Sequence, residues 1–191
     1  MEFVLVQPDD LPASLCDTLI SLFEASPDQK PGVLSGGYRE DIKKTMDITL
    51  RGSEWDACIA SLNVYLARAV RDYLSYLDRM IPECQVLDVA KLHNSAFMVM
   101  RTSADGYFKW HTDQHHEPHQ TRVLTYIWYL NTLEPGDGGE TDFAYDFVRP
   151  EKGKRVMFPA TWTYPHCGRP PAKDKYIVTG WLYADTNGTC I

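Results

Sequence analysis

No stretch of this chain stays apolar long enough to cross a bilayer. The opening Met1-Glu2-Phe3-Val4 lacks the basic stretch of a secretory signal. A cytoplasmic protein with no membrane partner is therefore expected. Cysteine is scattered: Cys16, Cys58, Cys84, Cys167 and Cys190 are odd in number and form no Cys-x-x-Cys. That pattern supports neither a disulfide framework nor a zinc knuckle, and implies reduced thiols. The Asn187-Gly188-Thr189 sequon is then a chance occurrence. Positive charge is short as well, with 19 Lys and Arg against 26 Asp and Glu and a net charge of −7. This argues against a broad phosphate-binding surface, so nucleic acid is not an expected partner, although a local basic pocket stays open. No internal repeat and no low-complexity tract occurs, and nothing in the pattern indicates an oligomeric state.

What is present suits one domain of 191 residues, with a core rich in aromatics, which make up 12% of the chain. Phe3 to Val6 reads as a short strand. Asp9-Asp10-Leu11-Pro12 opens a helix, Asp being able to cap it and Pro being tolerated in its first turn. Leu11, Leu15, Leu19, Leu22 and Phe23 form its apolar stripe. Pro27, Pro31 and the glycines up to Gly37 mark a loop. Lys44 to Leu50 alternates polar and apolar like one half-buried strand. Ser53-Glu54-Trp55-Asp56 resembles a capping box, and a long helix follows to about Met80, where Pro82 stops it. From Leu92 onward the pattern becomes strand, turn, strand. Val123 to Leu130 is a continuous aromatic and β-branched run of the kind found in central strands. Residues 1–90 thus read as a helical support region and 91–185 as a β core. Together they suggest a mainly β barrel or sandwich with helices packed outside.

One stretch carries chemistry. In Trp110-His111-Thr112-Asp113, a His and an Asp two positions apart on an extended segment point to the same side. An imidazole nitrogen and a carboxylate oxygen can then converge on one metal ion. His166, in Thr163-Tyr164-Pro165-His166, is the candidate third ligand. Two histidines and a carboxylate on one face make the facial triad of non-heme Fe(II) oxygenases. His-x-Asp by itself is unspecific, and a surface loop or a capping Asp is the competing explanation.

The second half adds motifs in order. After His111-Thr112-Asp113 come Arg122-Val123-Leu124-Thr125-Tyr126-Ile127-Trp128-Tyr129-Leu130-Asn131, then Gly138-Gly139-Glu140-Thr141 and Phe158-Pro159. His166 and Lys175-Tyr176-Ile177-Val178-Thr179-Gly180-Trp181 complete the series. From about Phe97 to Tyr183 the chain resembles the Fe(II)/2-oxoglutarate oxygenases, in their prolyl-4-hydroxylase-like branch. The resemblance implies a double-stranded β-helix, a jelly roll of the cupin kind, using Fe(II), 2-oxoglutarate and O2. It implies His111, Asp113 and His166 as metal ligands and Lys175 as the cation for the far carboxylate of 2-oxoglutarate. It also implies Tyr129 and Thr179 as hydrogen-bonding partners of that carboxylate. Independently of the resemblance, a carboxylate ending inside a barrel needs a countercharge. The family often has a tyrosine about nine residues before the first metal histidine. Arg101-Thr102-Ser103 stands there instead, so that cosubstrate contact has no counterpart at Thr102.

Around this centre, Arg122 is placed to meet a substrate acid or the adjacent loop, while Trp110 and Trp181 either line the pocket or pack in the core. His115, His116 and His119 read as a solvated loop near the mouth or a second metal site. By alternation Cys167 points away from the metal. The expected activity is hydroxylation of a substrate C–H bond, coupled to conversion of 2-oxoglutarate to succinate and CO2. A prolyl, an amino acid or another small substrate is expected, presented free or in a peptide. The competing expectations are a non-catalytic jelly-roll metal-binding or sensor domain, and a nucleic-acid demethylase.

Overall fold

The computed structural model describes residues 2–34, 36–83 and 87–185. Cys84, Cys190 and the Asn187 sequon lie outside the described residues. In chain order the N-terminal elements are β1 (Leu5–Gln7), α1 (Ala13–Ala25), β2 (Lys30–Pro31), β3 (Lys43–Lys44), β4 (Met46–Thr49) and α2 (Asp56–Met80). There follow β5 (Leu92–Asn94), β6 (Met98–Thr102), β7 (Tyr107–His111), β8 (His116–Glu117) and β9 (Gln120–Tyr129). The last are β10 (Thr141–Phe143), β11 (Phe147–Val148), β12 (Arg155–Pro159), β13 (His166–Gly168) and β14 (Lys175–Asp185). A large sheet runs β1-β12-β9-β14-β6-β4-β2, with β5 on β14 and β8 on β9. A small sheet runs β11-β10-β13-β7-β3.

The unbroken apolar run of β9 is explained by burial on both faces. Leu124, Tyr126, Trp128 and Leu130 point to the helices, where they join Leu19, Phe23, Leu62 and Leu66 in the larger core. Ile127 and Tyr129 point between the sheets and meet Phe143, Val156, Phe158 and Ile177 in the smaller one. The expected architecture, two facing sheets with helices outside, is the one observed. The first ninety residues do more than support it, however: β1, β2 and β4 extend the large sheet and β3 extends the small one.

Three local expectations are corrected. Lys44 to Leu50 is not one strand. It breaks at Thr45, so that β3 pairs with β7 in the small sheet and β4 pairs with β6 in the large one. Neither helix has a side-chain cap. The Asp10 carboxylate instead accepts the Trp128 indole N–H at 2.7 Å and Arg68 at 2.9 Å. A buried tertiary partner wins over the local cap because each desolvated N–H must be satisfied. At the second helix, Ser53–Trp55 forms a 3₁₀ turn that runs into α2 without a capping box.

Candidate active site

Strands β7 and β13 pair antiparallel, with His111 directly opposite His166. Cross-strand neighbours project to the same face. Their imidazole rings lie 4.2 Å apart at 56°. Asp113 sits two residues past the end of β7 and turns back to them. Its Oδ1 is 3.7 Å from His111 Nε2 and its Oδ2 is 3.5 Å from His166 Nε2. All three ligand atoms lie within 4.8 Å of one another.

Each ligand is oriented from behind. His111 Nδ1–H donates to the Lys109 carbonyl at 2.8 Å, and His166 Nδ1–H to the Tyr164 carbonyl at 3.1 Å. Because a carbonyl only accepts, both rings present a bare Nε2 to the centre. Phe108 lies face to face on His111, centroids 3.6 Å apart. Burial, and then the neighbouring His166, push His111 down to about 4, against the pull of Asp113. Its ring is neutral near pH 7, the form that ligates. Burial pushes the Asp113 carboxyl up, but His166, His111 and the Thr125 hydroxyl outweigh it and hold the group below its usual range. Thr125 donates to Asp113 Oδ2 at 2.8 Å. Two imidazoles and one carboxylate, grouped on one side of an open cavity, fit a divalent transition metal.

The cavity in front measures about 480 Å³. The inward positions of the large sheet line it: Met98, Met100 and Thr102 on β6, Thr125 and Ile127 on β9, and Lys175, Ile177, Thr179 and Trp181 on β14. The small sheet contributes Phe108, His111, Thr141 and His166. Lys175 is 5% exposed and donates to the Gly139 carbonyl at 2.8 Å. Gly139 has φ +77°, and a Cβ there would meet Leu133 Cδ1 at 2.4 Å, so the turn that offers this carbonyl requires glycine. Burial pulls the Lys175 amine down to about 8, with Glu140 the main opposing charge.

The other expected residues divide. Thr179 borders the cavity, although its hydroxyl already donates to the Tyr126 carbonyl. Tyr129 is fully buried behind the wall and donates to Thr141 at 2.7 Å, and Thr141 is the residue that reaches the cavity. Arg122 lies over Trp181 at 3.8 Å, donates to Tyr183 at 2.8 Å and borders the cavity beside Asp113. Trp181 lines the cavity, and Trp110, 55% exposed, forms its rim, so neither is simply core. Cys167 also borders the cavity, because the register shifts between His166 and Gly168 and alternation fails there. His115, His116 and His119 join no metal-ligating group among the described residues. His116 bonds Gln114 and Thr121 instead.

Sequence reasoning missed Thr102, Thr125, Thr141 and Lys43. Thr125 was legible from parity, since it shares an inward face with Ile127 and Tyr129. Thr102 follows only from the β14–β6 register, which sets it opposite Lys175. Lys43 left no signal, because it reaches the cavity through the pairing of β3 with β7.

Comparison with known proteins adds the following. Residues 97–183 match the family model of the 2OG-Fe(II) oxygenase superfamily. A comparison with curated protein sequences finds no match. Among solved structures, the chain is similar to the viral collagen prolyl hydroxylase of Paramecium Bursaria Chlorella virus-1, in its 2OG complex. Identity is 20%, coverage is 96% of this chain and 97% of that one, and the TM-score is 0.70. It is similar to a Pseudomonas putida prolyl-4-hydroxylase at 22% identity, covering 94% and 91%, with a TM-score of 0.69. A Trichoplax adhaerens prolyl hydroxylase, in complex with a peptide fragment of the hypoxia inducible factor oxygen degradation domain, matches at 17% identity. There the coverage is 96% and 84%, and the TM-score is 0.72. At these identities the structural likeness establishes the fold.

Proposed function

We infer, from the match of residues 97–183 to the 2OG-Fe(II) oxygenase superfamily, that this chain hydroxylates a C–H bond of a prolyl-type substrate, presented as an amino acid or within a peptide. The observation that carries the reading is one cavity with a three-ligand metal site at one end and a buried ammonium, Lys175, among its walls. Iron(II), 2-oxoglutarate and O2, when bound, supply the oxidising chemistry, with succinate and CO2 as the other products.

The residues have separate tasks. His111 Nε2, His166 Nε2 and the Asp113 carboxylate would hold the metal on one side. Thr125 orients Asp113, and the Lys109 and Tyr164 carbonyls fix the histidine tautomers. Lys175 holds the far carboxylate of 2-oxoglutarate, with Thr102, Thr141 and Thr179 on neighbouring strands as additional donors or acceptors. Tyr129 is a positioning residue that acts through Thr141. Met98, Met100, Ile127 and Ile177 keep water from the reacting centre. Arg122, fixed over Trp181, meets the substrate, and Trp110 guards the rim.

A complete ligand set together with Lys175 favours turnover over a metal-binding or sensor domain without it, and nothing in the cavity favours a nucleic acid. The chain has no helix among the described residues long and apolar enough to cross a membrane. We propose residues 1–191 as one catalytic unit. The test is succinate release from 2-oxoglutarate with iron(II) in air, and its stimulation by prolyl peptides and free amino acids. Absence of succinate under all these conditions rejects the reading.

A further inference from the structure

We propose that Lys43 makes this site selective for a substrate carrying a carboxylate beside the carbon that is oxidised. The inference rests on the oxygenase reading and names the substrate chemistry of the same cavity. Lys43 is 3% exposed and borders the cavity. Its ammonium stands 5.1 Å from the centre of the Phe108 ring, which also stacks on the metal ligand His111. The position is thus one aromatic ring away from the metal centre.

An ammonium has three donors. Among the described residues, the Lys43 ammonium makes a single hydrogen bond, to Asp47 Oδ2 at 2.6 Å. Asp47 is shared, because its Oδ1 accepts the Thr45 hydroxyl at 2.8 Å. The surroundings hold the lysine in place. A Cβ on Gly32 would lie 2.2 Å from Thr45 Oγ1 and 2.7 Å from Lys43 Cε, so the chain closes directly over the side chain. A buried cation with spare donors stabilises an incoming anion without first having to be ordered.

The charges around the cavity agree. Its walls carry Lys43, Arg122 and Lys175 as cations and Asp113 as the one carboxylate among the described lining residues, in a chain whose net charge is −7. The cosubstrate accounts for Lys175 and the metal for Asp113. Lys43 stands beside apolar Val33, Leu34 and Ile42, which suits an acid on a short aliphatic stem. The carboxylate has two possible sources: the α-carboxylate of a free amino acid, or an acidic side chain next to the oxidised residue in a peptide.

Paired ligands separate these sources. The iron(II)- and 2-oxoglutarate-loaded protein, kept anaerobic, is titrated with L-proline and L-prolinamide. It is then titrated with N-acetyl-Pro-Asp-amide and N-acetyl-Pro-Asn-amide. Tryptophan fluorescence reports binding through Trp110 and Trp181. In one pair the acid should bind about 10- to 100-fold more tightly than its amide, as a charge-assisted hydrogen bond implies. That preference should vanish in Lys43→Met and persist in Lys43→Arg. Lys43→Met strands a buried Asp47, so Lys43→Met/Asp47→Leu, which removes both charges, is measured beside it. Acid and amide binding alike in both pairs, including no binding by either, overturns the proposal. So does a preference that survives in the double variant. Succinate release by the wild-type protein in air, measured with and without prolyl peptides and free amino acids, separates the two levels: its absence under all these conditions rejects the oxygenase reading, whatever the paired ligands do.

Discussion

Replacing Lys175 with Met tests the cosubstrate end of the cavity most directly. The ammonium is buried, has one backbone partner, and is drawn down to about 8 by desolvation. A carboxylate delivered to it relieves that cost and forms a charge-assisted hydrogen bond. Removing one partner of such a buried pair costs about 3 kcal/mol, roughly a 150-fold loss in 2-oxoglutarate affinity at 25 °C. Metal content should stay close to that of the wild type, because Lys175 is not among the three ligands. The assay is direct titration with 2-oxoglutarate alongside its KM from succinate release. The wild type carries a second signature. Affinity for 2-oxoglutarate should be level below pH 8 and fall by up to about tenfold per pH unit above it, as the free amine loses its proton. Stability without cosubstrate moves the other way. The folded value lies below the ordinary 10.5, so the unfolded chain binds more protons between pH 8 and 10.5, and stability rises with pH across that window. An affinity change under fivefold in Lys175→Met, or a pH-independent wild-type affinity, would refute the reasoning.

Changing His111, Asp113 or His166 to Ala should lower iron(II) affinity by more than about 100-fold, beyond the effect of losing an outer hydrogen bond, as measured by bound metal after dialysis. Retained metal in His166→Ala would remove it from the ligand set. Tyr129→Phe should raise the 2-oxoglutarate requirement by about fivefold, since one neutral hydrogen bond that orients Thr141 is worth about 1 kcal/mol, and kcat should change little. Equal loss in kcat would give Tyr129 a different role. Asp10→Ala strands the Trp128 N–H and removes one of two acidic partners of Arg155, which is 0% exposed and keeps Asp72 at 3.2 Å, and should cost about 2–3 kcal/mol of stability in urea unfolding. A cost under 1 kcal/mol would show that these groups find other partners.

The local sequence determined whatever depends on spacing and alternation. The two-residue spacing of His111 and Asp113 brings both to one side of the chain, with Asp113 just past the end of β7. The parity that sends Leu124, Tyr126 and Trp128 to the helices and Ile127 and Tyr129 between the sheets is written into β9. The helical stripes of α1 and α2 are equally local. Tertiary structure decided whatever depends on which strand meets which. His166 stands opposite His111, and Thr102 opposite Lys175, through registers between segments far apart in the chain. Lys44 to Leu50 reads as one strand by pattern, yet it divides at Thr45 because its two ends find different sheets, and that division carries Lys43 to the cavity. Asp10 follows local rules as a cap, but a buried indole N–H is the stronger claimant on its carboxylate. Local pattern sets the direction of a side chain, and only long-range packing sets what it meets.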